Sequence, residues 1–189
     1  MRAAARTGIV ALLLAACAIP AGCERKKEPA AGGNATAAAV TVDEAAAATY
    51  GTENTATGAM RLKDGHYEDG DRVAGDLDTL GAQGDLDGDG SEDRVVLLVT
   101  STGGSGVFED IYALRRVGGQ LVVSAPGFLG DRVEVEDLRI EHGDIVVDLV
   151  VQGDNDPLCC PTQHVTYRFR LSGNALVETT GQQRVYLRE

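Results

Sequence analysis

Apolar and polar residues alternate along most of the second half of the chain. Ile145, Val147, Leu149 and Val151 recur every second position, and so do Val165, Tyr167, Phe169 and Leu171. A period of two puts each set on one face of a half-buried strand, so strands are expected over residues 144–151 and 164–171. Residues 94–100 form a continuous run rich in Val and Leu, closed by a glycine-rich stretch at 102–106. β-branched and bounded by glycine, this run predicts a central strand buried on both faces. Further strands are expected over 72–80, over 107–117 with a bulge, and over 120–124, 133–141, 175–180 and 184–187. Between 133 and 141 the alternation changes parity at Asp137.

Turn residues separate these segments. Asp64-Gly65 supports the positive-φ positions of a tight hairpin turn across residues 60–68. Gly118-Gly119, His142-Gly143 and Ser172-Gly173-Asn174 mark three more reversals. Pro126, Gly127 and Gly130 give residues 125–132 a loop-like character, and 152–163 is a long polar loop. Short strands joined by tight turns pair antiparallel. The expected fold is therefore all-β, with eight to ten strands in an antiparallel meander that forms a partly closed barrel or two packed sheets. A propeller is not expected, because this length holds about two blades and shows no repeat of blade size.

Composition changes the picture mainly at the N-terminus. Arg2 and Arg6 precede a short apolar run over residues 8–16, the pattern of a secretory signal. Two cysteines compete to end it. Leu14-Ala15-Ala16-Cys17 fits a bacterial lipobox; Pro20-Ala21-Gly22-Cys23 has the small residues and is followed at once by the polar run from Glu24. The expected division is a signal peptide at 1–16 (1–22 if cleavage precedes Cys23), a flexible Ala/Gly-rich tether at 17–48, and a single β-domain at 49–189. Either way, the resemblance to a lipobox implies a lipoprotein held to a membrane by its lipid. Neither Ala18 nor Glu24 is the aspartate that retains lipoproteins in some inner membranes. The outer membrane, facing the periplasm, is thus the expected location in a Gram-negative cell. Arg25, Lys26 and Lys27 form a solvated basic run beside the anchor. The net charge of -12 over 189 residues argues against nucleic acid as a partner.

The densest chemistry precedes the central strand. Asp85, Asp87, Asp89 and Asp93 fall at positions 1, 3, 5 and 9 of a nine-residue loop, with Gly88 and Gly90 between them. Calcium takes six to eight oxygen ligands, and this spacing turns alternate carboxylates toward one ion, with the Ser91 carbonyl as a further donor. The EF-hand's glutamate at position 12 is missing, since Val96 stands there. The loop resembles the D-x-D-G-D-G-x-x-D calcium loops of FG-GAP and similar β-repeat proteins, which also lead into a strand. That resemblance implies Ca2+ as a structural cofactor, bound by Asp85, Asp87, Asp89, Ser91 and Asp93.

Other groups carry less. Ser101, Thr102 and Ser105 lie in a glycine-rich loop but lack the strand-turn-helix setting of a hydrolase nucleophile. His66, His142 and His164 stand far apart, without paired metal-ligand spacing. Asp154 and Asp156 would supplement a metal site only if their loop folded against residues 85–93. Cys159 and Cys160 are adjacent. In an oxidising compartment they form a vicinal disulfide, stay as thiols or bond to Cys23, or serve as a redox or metal-binding dithiol.

GDLDGDG followed by RVVLLV, then GGSG, LGDRV, IVVDLVV and DPLCCPT occur in this order. The combination resembles a group of uncharacterised bacterial secreted or lipid-anchored proteins, over roughly residues 50–178. It implies an envelope setting and carries no activity with it. Two function classes follow. The first is a non-enzymatic lipoprotein whose calcium-stabilised β-domain binds an envelope partner or ligand or maintains the envelope. The second is a redox factor or enzyme acting through the Cys159-Cys160 loop.

Overall fold

The structure, a computed structural model, describes residues 38–70, 72–157 and 159–180. The expected signal peptide, the lipidation candidates Cys17 and Cys23, the basic run and the strand at 184–187 lie outside the described residues. Among the described residues there are twelve strands and one short helix, with every strand pair antiparallel.

The centre is β5 (Asp93–Ser101), the continuous apolar run. Val95 and Leu97 face one apolar cluster and Val96 and Leu98 another, and all four are at most 4% exposed. β5 pairs with β4 (Val73–Gly84) on one side and β6 (Val107–Val117) on the other. β3 (His66–Asp69) extends this sheet beyond β4. The far edge of β6 is shared: its C-terminal half pairs with β7 (Gln120–Val123), its N-terminal half with β8 (Gly127–Asp131).

A second sheet has the order β12-β11-β10-β9, from β9 (Glu134–Glu141), β10 (Asp144–Val151), β11 (Gln163–Ser172) and β12 (Ala175–Glu178). Ile145, Val147, Leu149, Val165 and Phe169 from this sheet meet Val95, Leu97, Ile111 and Ala113 from the first. The alternating residues thus form the inter-sheet core. The sheets are open and packed face to face, so of the two arrangements expected the barrel is excluded.

The other face of the first sheet is covered by β1 (Thr49–Gly51), β2 (Ala59–Arg61) and α1 (Val42–Ala46). Val40, Ala45, Ala48, Tyr50, Met60 and Leu62 cover Val96, Leu98, Tyr112 and Leu114 there. The Tyr50 and Tyr112 rings meet edge to face with centroids 4.9 Å apart.

Four expectations need correction. The tether does not extend to residue 48. Thr41 and Glu44 form a capping box that fixes α1. Arg116 donates to the Ala38 carbonyl at 2.8 Å, and Arg94 donates to the Val40 carbonyl at 3.0 Å. Residues 60–68 are not a self-paired hairpin. Asp64 and Gly65 make the positive-φ turn, but one bridge, Lys63↔His66, closes it. Burial of Met60 beside Tyr50 draws β2 back to β1, while β3 pairs with β4.

Residues 125–132 are not simply a loop. β8 forms there because Leu129 is buried in the inter-sheet core, with Pro126 left outside the strand. β4 continues to Gly84 instead of ending at residue 80, through an irregularity between Leu77 and Gly81. The parity change at Asp137 has a simple physical basis: Asp148 faces Asp137 and Leu149 faces Val135, so Glu136 is the extra residue of a bulge.

Candidate metal centre

The acidic loop connects β4 to β5, and its two ends are held in register by the Gly84↔Asp93 pair. Gly84 packs directly against Ile140 of the second sheet. A Cβ there would lie 3.2 Å from Ile140 Cγ2, so a larger residue would push β9 away from the loop's base. Leu86 anchors the loop from inside: its side chain is 7% exposed in the inter-sheet core, and its N–H donates to Asp93 Oδ2 at 2.9 Å.

The remaining backbone turns outward around the carboxylates. Asp85 accepts from the N–H groups of Gly88 at 2.7 Å and Gly90 at 3.0 Å. Both glycines have positive φ, 80° and 84°, which a side chain would make costly. Asp87 accepts from Asp89 N–H at 3.2 Å, and Asp89 from Ser91 N–H at 2.7 Å. As a result Asp85, Asp87 and Asp89 are exposed, and each offers an oxygen within 4.8 Å of the others.

Asp93 is not part of that trio. It is 2% exposed, and burial pushes its carboxyl up to about 6. The Leu86 N–H opposes that shift, while the charges of Asp87, Asp89 and Asp85 add to it. Ser91 is buried at the loop's end and gives its N–H to Asp89. The loop therefore gathers negative charge at its surface and places another carboxylate beneath it. A cation among the exposed oxygens would relieve both the mutual repulsion and the pressure on Asp93.

One residue that sequence spacing did not indicate touches this site. Arg115, on β6, reaches Asp87 Oδ2 at 3.3 Å and donates to the Gly173 carbonyl at 2.6 Å in the β11–β12 turn. Nothing in the local sequence links position 115 to 87; the connection is made by the sheet.

The secondary candidates are placed elsewhere. Asp156 is used within its own loop, accepting from Gly153 N–H at 2.8 Å and Thr162 N–H at 2.7 Å. Those bonds, the one from Gly153 foremost, hold its carboxyl below the usual range. Asp154 is exposed and stands outside the acidic trio. His66 pairs with Asp76 at 2.6 Å and His164 with Glu136 at 3.0 Å, while His142 has φ 54° in a turn. Among the described residues no histidine joins a cluster of metal-type ligands. Ser105 is held by Arg132 through its carbonyl and its hydroxyl. Cys159 and Cys160 are bonded to each other, and both are exposed.

No family model, curated protein or solved structure matches the chain.

Proposed function

We propose that this chain is a lipid-anchored protein of the bacterial cell envelope. Its β-domain is braced by one calcium ion and has a non-enzymatic role in binding or envelope maintenance. One observation carries the metal reading: three carboxylates directed to within 4.8 Å of each other, above the buried Asp93. Oxygen donors without Cys or His favour a hard cation, and an irregular loop suits calcium better than octahedral magnesium. Asp85, Asp87 and Asp89 would hold the ion, with the Ser91 carbonyl as a further donor and the buried Asp93 beneath them, its charged form favoured by the ion. Without a glutamate at position 12, the affinity expected is on the order of 10⁻⁵ to 10⁻³ M, from the weakest sensor sites to extracellular modules.

The role of such an ion is mechanical. The loop leads directly into β5, whose side chains supply both apolar clusters. Neutralising the carboxylates would fix the approach of that strand and add RT ln(1 + [L]/Kd), about 2.7 kcal/mol at a hundredfold excess of ion over Kd. Calorimetric titration with calcium and magnesium tests this: one site with preference for calcium supports it, and no heat from either ion refutes it.

The anchor in this proposal is a lipid on Cys17 or Cys23. Metabolic labelling with a fatty-acid analogue should mark the wild type and be abolished by Cys17→Ala or Cys23→Ala. Label retained in both variants, or absent from the wild type, contradicts the anchor.

A further inference from the structure

Disulfides in small secreted domains stabilise chiefly by closing a loop of the unfolded chain, and the effect grows with loop length. Cys159 and Cys160 are neighbours already joined by a peptide bond, so their disulfide removes almost no chain freedom. The surrounding loop does not depend on it either. Asp156 ties the loop's two ends together through Gly153 N–H, Thr162 N–H and the Thr162 hydroxyl, the last at 2.9 Å. Cys160 N–H also donates to the Pro157 carbonyl at 2.9 Å. Neither cysteine belongs to an apolar cluster, and solvent reaches both. A bond that adds little to the fold and faces solvent is open to exchange with other thiols.

We propose that Cys159–Cys160 is a redox site, a two-electron couple that exchanges with dithiols while the domain stays folded. A thiolate of the dithiol attacks one cysteine sulfur, and the Cys159–Cys160 S–S bond breaks. The attacked cysteine is now in a mixed disulfide, and its neighbour leaves as a thiolate that takes up a proton. The second thiol of the reductant, deprotonated, then attacks its own partner sulfur in the mixed disulfide. That step releases the other cysteine as a thiol and leaves the reductant as a cyclic disulfide. Two electrons pass to the protein; the dithiol is oxidised and both cysteines are reduced. An oxidised partner reverses the sequence, and adjacency makes the reclosing step intramolecular.

The test uses the full chain and dithiothreitol at neutral pH without denaturant. Samples are quenched in acid, alkylated and peptide-mapped to positions 159 and 160, with melting curves in parallel. The expected result is joint labelling of both positions and a melting temperature unchanged within about 2 °C, no more than about 1 kcal/mol for a domain of this size. The Cys159→Ser/Cys160→Ser double variant should melt at the same temperature. Cys160→Ser alone should be captured at Cys159 by an immobilised pyridyl disulfide, its thiolate displacing pyridinethione, and be released by dithiothreitol. Labelling that requires denaturant, or a fall of about 8 °C or more on reduction, overturns the proposal in favour of a structural bond.

Discussion

Arg132 Nε donates to the Ser105 carbonyl at 2.8 Å, and its Nη2 reaches Ser105 Oγ at 3.2 Å. The neighbouring Asp131 accepts from Val107 N–H at 2.8 Å and pairs with Arg132 Nη1 at 2.8 Å. The GGSG and LGDRV segments, distant in sequence, are therefore two halves of one clamp that closes the loop between β5 and β6. Arg132 itself has φ 53°, a left-handed conformation that a non-glycine residue adopts at some cost.

Removing the clamp should loosen that loop without unfolding the domain. Arg132→Ala should lose about 1–2 kcal/mol in urea unfolding, the scale of charge-assisted hydrogen bonds at a partly exposed site. Hydrogen exchange should rise over residues 102–107. Arg132→Lys should recover little of either, because an ammonium lacks the guanidinium's fork.

Residues 38–48 belong to the folded domain. Thr41→Ala should cost about 1 kcal/mol through loss of the cap. Tyr50→Phe should cost about 1–2 kcal/mol, because its hydroxyl donates to the buried side of α1 at the Ala45 carbonyl, 2.8 Å away. A chain starting at residue 49 should be markedly less stable than one starting at residue 38. Equal stability of the two truncations would return α1 to the tether.

The strands were legible where period and burial agree. β10 and β11 alternate because one of their faces is the inter-sheet core, and β5 is uniformly apolar because both its faces are covered. What escaped depends on distant contacts. The Ala-rich sequence of α1 has no hydrophobic stripe of its own, and Arg116 and the Tyr50 hydroxyl hold it from elsewhere in the fold. β8 looked like a loop because its glycines outweigh one buried leucine, Leu129. At the acidic site, spacing indicated Asp85, Asp87, Asp89 and Asp93 with the Ser91 carbonyl, and the structure gathers the first three aspartates. The burial that sets Asp93 apart and the approach of Arg115 come only from the packing of β5 and β6.

Two acids on β6 give the domain a pH dependence away from the metal loop. Glu109, on the face of Ile111, is pushed up to about 7 by burial and by the charge of Asp78, and Asp110, on the face of Tyr112, to about 6 by burial. Both pKa values lie above those of the unfolded chain. The folded state therefore holds more protons, and stability falls as pH rises from about 4 toward about 7. Glu109→Gln should raise the melting temperature at pH 8, flatten this slope, and make no difference near pH 4. A parallel shift at all pH values would mean that Glu109 is charged throughout.

Arg115 places a positive charge beside Asp87. If the loop binds calcium, that charge opposes the ion, so Arg115→Gln should tighten binding by about 3- to 10-fold at low salt, and less at high salt. Equal affinities for variant and wild type would show that Arg115 serves only to join Asp87 to the Gly173 carbonyl.

The most direct measurement is the melting temperature of the wild type and of Asp87→Ala, each in millimolar calcium and in chelator. In 1 mM calcium the ion should stabilise the wild type by about 0.4 kcal/mol at a Kd of about 10⁻³ M and about 2.7 kcal/mol at about 10⁻⁵ M, a rise of one to several degrees. Asp87→Ala should melt at the same temperature in both conditions. A wild-type melting curve that calcium leaves unmoved would contradict the account and leave residues 85–93 as an acidic turn.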